Sequence, residues 1–60
     1  MLFLEFNLVN TNKPITINVA QIIAIEESTP DTAYIELANG MHRVVTMSYK
    51  EVIEYLEFAI

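Results

Sequence analysis

Two turn signals in one short stretch constrain this chain more than any other feature of its sequence. Pro30-Asp31 and Asn39-Gly40 enclose a run of strand-forming residues, and a second such run follows the glycine. Proline presets φ for the second position of a turn, and Asn-Gly is a strong hairpin signal because a type I′ turn requires positive φ at both central residues. The sequence therefore predicts a fold built around an antiparallel hairpin.

A two-residue Asn-Gly loop would also fix the register of that hairpin. In this register Glu36 lies across from Arg43, and opposite charges across two strands contribute about 0.2–1 kcal/mol. Because side chains alternate between the two faces of a strand, His42 would share a face with Ile35. The outer face would carry Tyr34, Glu36, Ala38, Met41, Arg43 and Val45.

Further strands precede this hairpin. Leu2 to Val9 and Ile15 to Val19 both alternate apolar with other residues, and Asn10 to Pro14 between them has turn composition. We expect these two runs to pair as an antiparallel hairpin. After a short turn at Val19 to Gln21, the β-branched residues within Ala20 to Ser28 favour another strand.

The chain changes to helical periodicity near its C-terminal end. Ser48 is followed three residues later by Glu51, which is the spacing of a capping box. The apolar stripe that we expect to lie on the sheet consists of Tyr49, Val52, Ile53, Leu56, Ala59 and Ile60. We therefore predict an α+β fold, a small antiparallel β-sheet of about five strands followed by one C-terminal helix, as a single domain over residues 1–60.

The hydrophobic content exceeds what one copy of such a chain can bury. Of 60 residues, 53% are hydrophobic, whereas a domain of this length buries only about 60% of the surface that its unfolded chain exposes. Large exposed apolar patches usually mark interfaces, and small domains are often stabilised by oligomerisation. We therefore expect a homo-oligomer. Its interface would draw on Phe3, Val9, Tyr34, Met41, Val45, Tyr55 and Phe58.

Composition argues against several classes of function. The net charge is −5 and only three residues are basic, too few to neutralise the phosphates that dominate nucleic-acid binding. There is no cysteine for disulfides or thiolate metal ligands. No apolar run is long enough to span a bilayer, and the first residues do not resemble a signal peptide. We expect a cytoplasmic protein without a transmembrane segment and without direct nucleic-acid contact.

The polar residues form no catalytic pattern. His42 is the single histidine, and we interpret it as a strand-end residue beside the turn. Ser28 and Ser48 have no base at a recognisable spacing, and Gly40 is the only glycine, too few for a phosphate-binding loop. We predict that the chain is not an enzyme and that it has no cofactor or metal site.

Acidic residues gather around the Pro-Asp turn and along the helix. Glu26, Glu27 and Asp31 form the first group. Carboxylates in such a small domain are usually a solvated face, although an acidic surface can also dock a basic partner. The sequence leaves both interpretations open.

Four features in a row carry a resemblance to a known family. They are Asn18 with Ile22 and Ile25, then Thr29-Pro30-Asp31-Thr32, then Asn39-Gly40, then Glu51-Val52-Ile53-Glu54. In this order they resemble the FlbD-type small flagellar-operon proteins, also called SwrD, over about two-thirds of the chain. The resemblance implies a small bacterial protein whose partner belongs to the flagellar motor or its assembly.

Two functional hypotheses follow. The first is a small, non-enzymatic, self-associating protein-interaction module that resembles flagellar-operon accessory proteins and binds a protein partner. The alternative is a phage or mobile-element accessory protein that binds a host protein and uses its acidic charge to inhibit a nucleic-acid-binding partner. A small enzyme would require a deep pocket beside His42 or Asp31.

Overall fold

The computed structural model describes residues 2–60, and it confirms an α+β fold in which five strands precede one C-terminal helix. A 3₁₀ helix at Val19–Gln21 forms the short turn predicted there. The regular elements are β1 (Phe3–Asn7), β2 (Pro14–Asn18), β3 (Ile22–Thr29), β4 (Thr32–Leu37), β5 (His42–Val45) and α1 (Tyr49–Ala59).

The five strands are divided between two antiparallel sheets. One contains β1 and β2, and the other has the order β3-β4-β5. A single bridge between Leu8 and Val45 joins the sheets. On either side of it the Val9 N–H donates to the Val44 carbonyl at 3.0 Å, and the Thr46 N–H donates to the Asn7 carbonyl at 2.9 Å. Hydrogen bonding therefore continues from β1 into β5.

The first hairpin has the predicted pairing. Leu4 lies across from Ile17 and Phe6 across from Ile15. Phe6 and Ile17 are buried in the core. The connecting loop turns at Asn12, whose φ of 55° is in the left-handed region that asparagine tolerates. This loop holds its shape through two backbone hydrogen bonds to Leu8.

The second turn also forms where the sequence predicts it. Thr29 lies across from Thr32, so Pro30 and Asp31 are the two loop residues. The Thr29 N–H donates to the Thr32 hydroxyl at 3.1 Å, and the two hydroxyl oxygens are 2.7 Å apart. Side-chain hydrogen bonds thus supplement the conformational preference of proline in closing the hairpin.

The predicted register of β4 and β5 is wrong by one residue. Ile35 lies across from Arg43, and Glu36 lies across from His42. Gly40 has a φ of 87°, whereas Asn39 is not in the left-handed region, so the loop is not a type I′ turn. The Leu37 N–H donates to the Met41 carbonyl at 2.8 Å, which leaves three loop residues. A type I turn followed by a left-handed glycine gives this geometry, and Asn-Gly suits it as well.

The shift by one residue exchanges the faces of β5 and overturns three predictions. Val45, predicted on the outer face, is fully buried in the core. His42, predicted beside Ile35, lies instead on the face of Tyr34. The Glu36–Arg43 cross-strand pair does not form, and the Arg43 guanidinium donates through Nη1 to the neighbouring His42 carbonyl at 2.9 Å.

A bulge in β3 changes the alternation of that strand. Ile22 pairs with Leu37 and Ala24 pairs with Glu36, so Ile23 is an extra residue. Ile22 and Ile25 both pack against the core, whereas Ile23 is 60% exposed. The inserted residue therefore exposes the side chain of Ile23 to solvent, although simple alternation places it on the same face as Ile25.

The helix packs on the core through a face slightly different from the predicted one. Val52 is fully buried, and Tyr55 and Leu56 pack against the core with it. The Tyr55 ring meets Phe6 edge-on at 5.3 Å, and its hydroxyl donates to the Glu5 carbonyl at 3.2 Å. Tyr55, predicted at an interface, therefore belongs to the fold of the single copy.

The start of the helix is capped as predicted. The Glu51 N–H donates to the Ser48 hydroxyl at 3.2 Å, and the Ser48 N–H donates to the Glu51 carboxylate at 3.1 Å. Hydrogen bonds to the Glu51 carboxylate from the Ser48 backbone N–H and then from the Ser48 side chain hold its pKa below the ordinary value. Two of the four unpaired N–H groups at the helix start are satisfied in this way.

Candidate interaction surface

One face of the three-stranded sheet is not covered by the helix. Val52 of α1 packs in the core with Ala33, Ile35 and Val45, which lie on the covered face. Alternation places the intervening side chains on the opposite side. We call this side the open face, and define it by Glu26, Tyr34, Glu36, His42 and Val44.

The open face carries a stacked pair of rings. Tyr34 and His42 are diagonal neighbours on β4 and β5, with ring centroids 5.0 Å apart and planes inclined by 20°. His42 lies directly across from Glu36, and Tyr34 lies across from Val44. Stacking restricts both side chains, and tyrosine is enriched in interface cores. The half-buried Tyr34 thus remains a predicted interface residue in a pre-ordered position.

An acidic cleft of about 270 Å³ adjoins the stacked rings. It is lined by Glu26, Glu27 and Glu36 together with Ser28 and Tyr34. The structure therefore groups two of the turn carboxylates with Glu36 rather than with Asp31. Within residues 2–60 there is no set of three His, Asp or Glu side chains arranged to hold a metal ion. The cleft presents negative charge next to an aromatic ring, which is suited to a cationic side chain.

A second groove, of about 420 Å³, lies between β5 and the loop that joins β1 to β2. Leu8, Ile15 and Val44 supply apolar lining, and the polar lining comes from Asn10, Thr11, His42 and Arg43. Lys13 is in the same loop, where its carbonyl accepts from the Leu8 N–H at 2.9 Å. This groove therefore has a mixed apolar and polar lining with one cationic side chain, Arg43, whereas the acidic cleft is lined by three carboxylates.

Four of the predicted interface residues are exposed in the single copy. They are Phe3, Val9, Met41 and Phe58, of which Phe58 has 92% of its surface exposed. They do not lie on one element: Phe3 begins β1, Met41 follows the glycine loop, and Phe58 is in the last turn of α1. Their role in an interface stays a prediction, as does that of the half-buried Tyr55, whereas Val45 is buried in the core.

Sequence reasoning missed several exposed apolar side chains. Ile23 is displaced by the bulge in β3, and Ile60 is 86% exposed although the helical stripe includes it. Leu2 and Tyr49 are also exposed. Ile60 follows the last helical residue, Ala59, so helical periodicity no longer places its side chain. The bulge leaves no comparable signal in the sequence.

The chain matches no protein-family model, no curated protein and no solved structure. Among residues 2–60, no helix has the length and apolar character needed to cross a bilayer.

Proposed function

We propose that this chain is a small, non-enzymatic protein-interaction module that associates with copies of itself. The observation that carries the proposal is the balance between core and surface. Among residues 2–60, six hydrophobic residues form the buried core, while eight large ones are exposed, namely Leu2, Phe3, Val9, Ile23, Met41, Tyr49, Phe58 and Ile60. Association with a second copy would remove part of this exposed apolar surface from water, which favours self-association.

Loose packing does not account for this exposure. The accessible surface is 4118 Å², and a folded monomer of 6.9 kDa exposes about 4,000 Å² on average. The chain is thus about as compact as an average folded monomer of its mass. The exposed apolar side chains follow from the high hydrophobic content of a small domain, and only a second molecule can cover them.

Side-chain contacts are a better route to association than pairing of sheet edges. β2 begins with Pro14, which lacks an N–H, and β3 contains two register irregularities and the adjacent carboxylates Glu26 and Glu27. Proline, bulges and charges are the features by which natural proteins prevent edge-to-edge pairing. These features support an interface formed by exposed side chains.

We also propose a partner other than a second copy, and two classes of partner protein are open. The resemblance to FlbD-type proteins supports a partner in the flagellar motor or its assembly. The acidic cleft formed by Glu26, Glu27 and Glu36 favours a basic partner protein, as the alternative of a phage or mobile-element accessory protein requires. Binding to a basic partner through this cleft should weaken as salt is added, whereas binding through apolar side chains should persist.

The concentration dependence of thermal unfolding tests self-association. If native copies bind one another and unfolded chains do not, mass action raises the unfolding midpoint as protein concentration increases. Circular dichroism over a hundredfold range of about 1 to 100 μM would measure the midpoint. A midpoint that is independent of concentration over this range, for reversible unfolding, would contradict the proposal.

A further inference from the structure

The end of helix α1 is apolar, acidic and exposed. In the part of the chain that the structure describes, Phe58 and Ile60 are the two most exposed large hydrophobic residues, at 92% and 86%. Glu54 and Glu57 are exposed on the same helix, and the last helical turn contains no basic residue. A helix C-terminus carries partial negative charge that Lys or Arg commonly neutralises. This end therefore presents negative charge around an uncovered aromatic ring.

The groove beside β5 has the complementary properties. Leu8, Ile15 and Val44 line it with apolar surface, and Arg43 lies at the same site with its charge directed to a backbone carbonyl rather than to a carboxylate. Its volume of about 420 Å³ is in the range of pockets that enclose small ligands, about 300–1,000 Å³. An aromatic side chain flanked by carboxylates suits such a groove.

We infer that the C-terminal end of α1 in one copy docks into the β5 groove of a second copy. Phe58 enters the apolar part of the groove, and Glu54 or Glu57 lies near Arg43. The inference rests on the proposed self-association and specifies its geometry. The groove and the helix end are different surfaces, so the contact either closes reciprocally in a two-fold dimer or repeats from copy to copy to form a ring or a chain.

Charge disfavours a contact between two helix ends. Such a contact would bring Glu54 and Glu57 of one copy against the same residues of its partner. Like charges placed together cost free energy and suppress such pairings. When the helix end docks in the groove, the same carboxylates meet Arg43, one of only three basic residues in a chain of net charge −5.

Two single variants and their mixture test this geometry. Phe58→Ser removes the ring from the helix end, and Arg43→Glu reverses the charge of the groove. We expect each to raise the Kd of self-association at least tenfold, measured by sedimentation velocity, which corresponds to about 1.4 kcal/mol. Lys50→Glu, a charge reversal at an exposed position in the first turn of α1, is the matched control and should leave association unchanged.

Mixing the two defective variants gives the decisive result. The helix end of Arg43→Glu is intact and the groove of Phe58→Ser is intact, so one productive contact remains. The mixture should form a heterodimer and nothing larger. Far-UV circular dichroism would verify folding, and Arg43→Gln would replace Arg43→Glu if the charge reversal prevents folding.

The outcomes separate the two proposals. If Phe58→Ser and Arg43→Glu associate as well as wild type does, the docking geometry is overturned and self-association still stands. A mixture of folded variants that stays monomeric would also overturn the geometry. A monomeric wild type would overturn both.

Discussion

Gly40 closes the loop between β4 and β5 with a φ of 87°, and the space that a Cβ atom would occupy is open. Backbone conformation, rather than crowding, therefore determines which residues are tolerated at this position. Gly40 is the last loop residue and lies in the left-handed region. There most residues with a Cβ atom lower the free energy of unfolding by about 1–2 kcal/mol.

Gly40→Ala should lower the free energy of unfolding by about 1–2 kcal/mol, because alanine is strained in the left-handed region. Gly40→Asn should lower it less, since asparagine visits that region more readily. Urea denaturation of the three proteins at equal concentration would measure the difference. Equal stability of Gly40→Ala and wild type would contradict the loop geometry.

Ile23 and Ile35 have the same side chain in opposite environments. Ile35 is fully buried, whereas Ile23 is 60% exposed at the bulge of β3. Ile35→Val should lower the free energy of unfolding by about 0.5–1.5 kcal/mol through the loss of a buried methyl group. Ile23→Val is the matched control and should change it by no more than about 0.5 kcal/mol. Reversal of this order in urea denaturation would show that β3 has no bulge at Ile23.

Among the elements, the helix start is where sequence and structure agree most fully. Ser48 and Glu51 are separated by the spacing of a capping box, and both reciprocal hydrogen bonds form. A capping box can be predicted from the sequence because its donor and acceptor groups lie within one helical turn. The Pro30-Asp31 hairpin is equally local, and it too was predicted.

The capping box makes a defined contribution to pH dependence. The pKa of the Glu51 carboxyl lies below its ordinary value of 4.5, so ionised Glu51 stabilises the fold above that pH. The contribution is lost as pH falls from the ordinary pKa through the lower folded-state pKa. Glu51→Gln keeps hydrogen-bonding capacity but does not titrate, so its stability should fall less than that of wild type from about pH 6 to about pH 3.

Urea denaturation across that pH range would measure this difference. Glu54→Gln, which removes a carboxylate of the same helix outside the capping box, is the control for net charge. Parallel stability curves for wild type and Glu51→Gln would show that the capping hydrogen bonds do not favour the ionised carboxylate.

Pairings between elements were harder to predict. Asn39-Gly40 is compatible with a two-residue and a three-residue loop, and the choice between them moves Val45 from the surface to the core. The bulge at Ile23 depends on the pairing of β3 with β4, which no local signal specifies. Tyr55 packs on Phe6 across 49 positions of sequence, so helical periodicity alone could not assign it.

At the scale of the whole molecule, composition predicts more than pattern does. A hydrophobic content of 53% indicates that one copy cannot bury all of its apolar side chains, and the structure leaves Phe3, Met41 and Phe58 exposed. The identity of the exposed residues depends on the register of β5 and on the bulge in β3. The sequence therefore predicts that much apolar surface is exposed, whereas only the structure shows which residues form it.

The central claim is that another copy covers these exposed side chains. Sedimentation equilibrium measures the mass directly, and a single copy has a mass of 6.9 kDa. We predict a weight-average mass above this value at micromolar concentration, rising as the concentration increases. We also expect it to persist at about 0.5 M salt, where exposed charges are screened but apolar contacts are not. A mass of 6.9 kDa at every concentration would contradict the account.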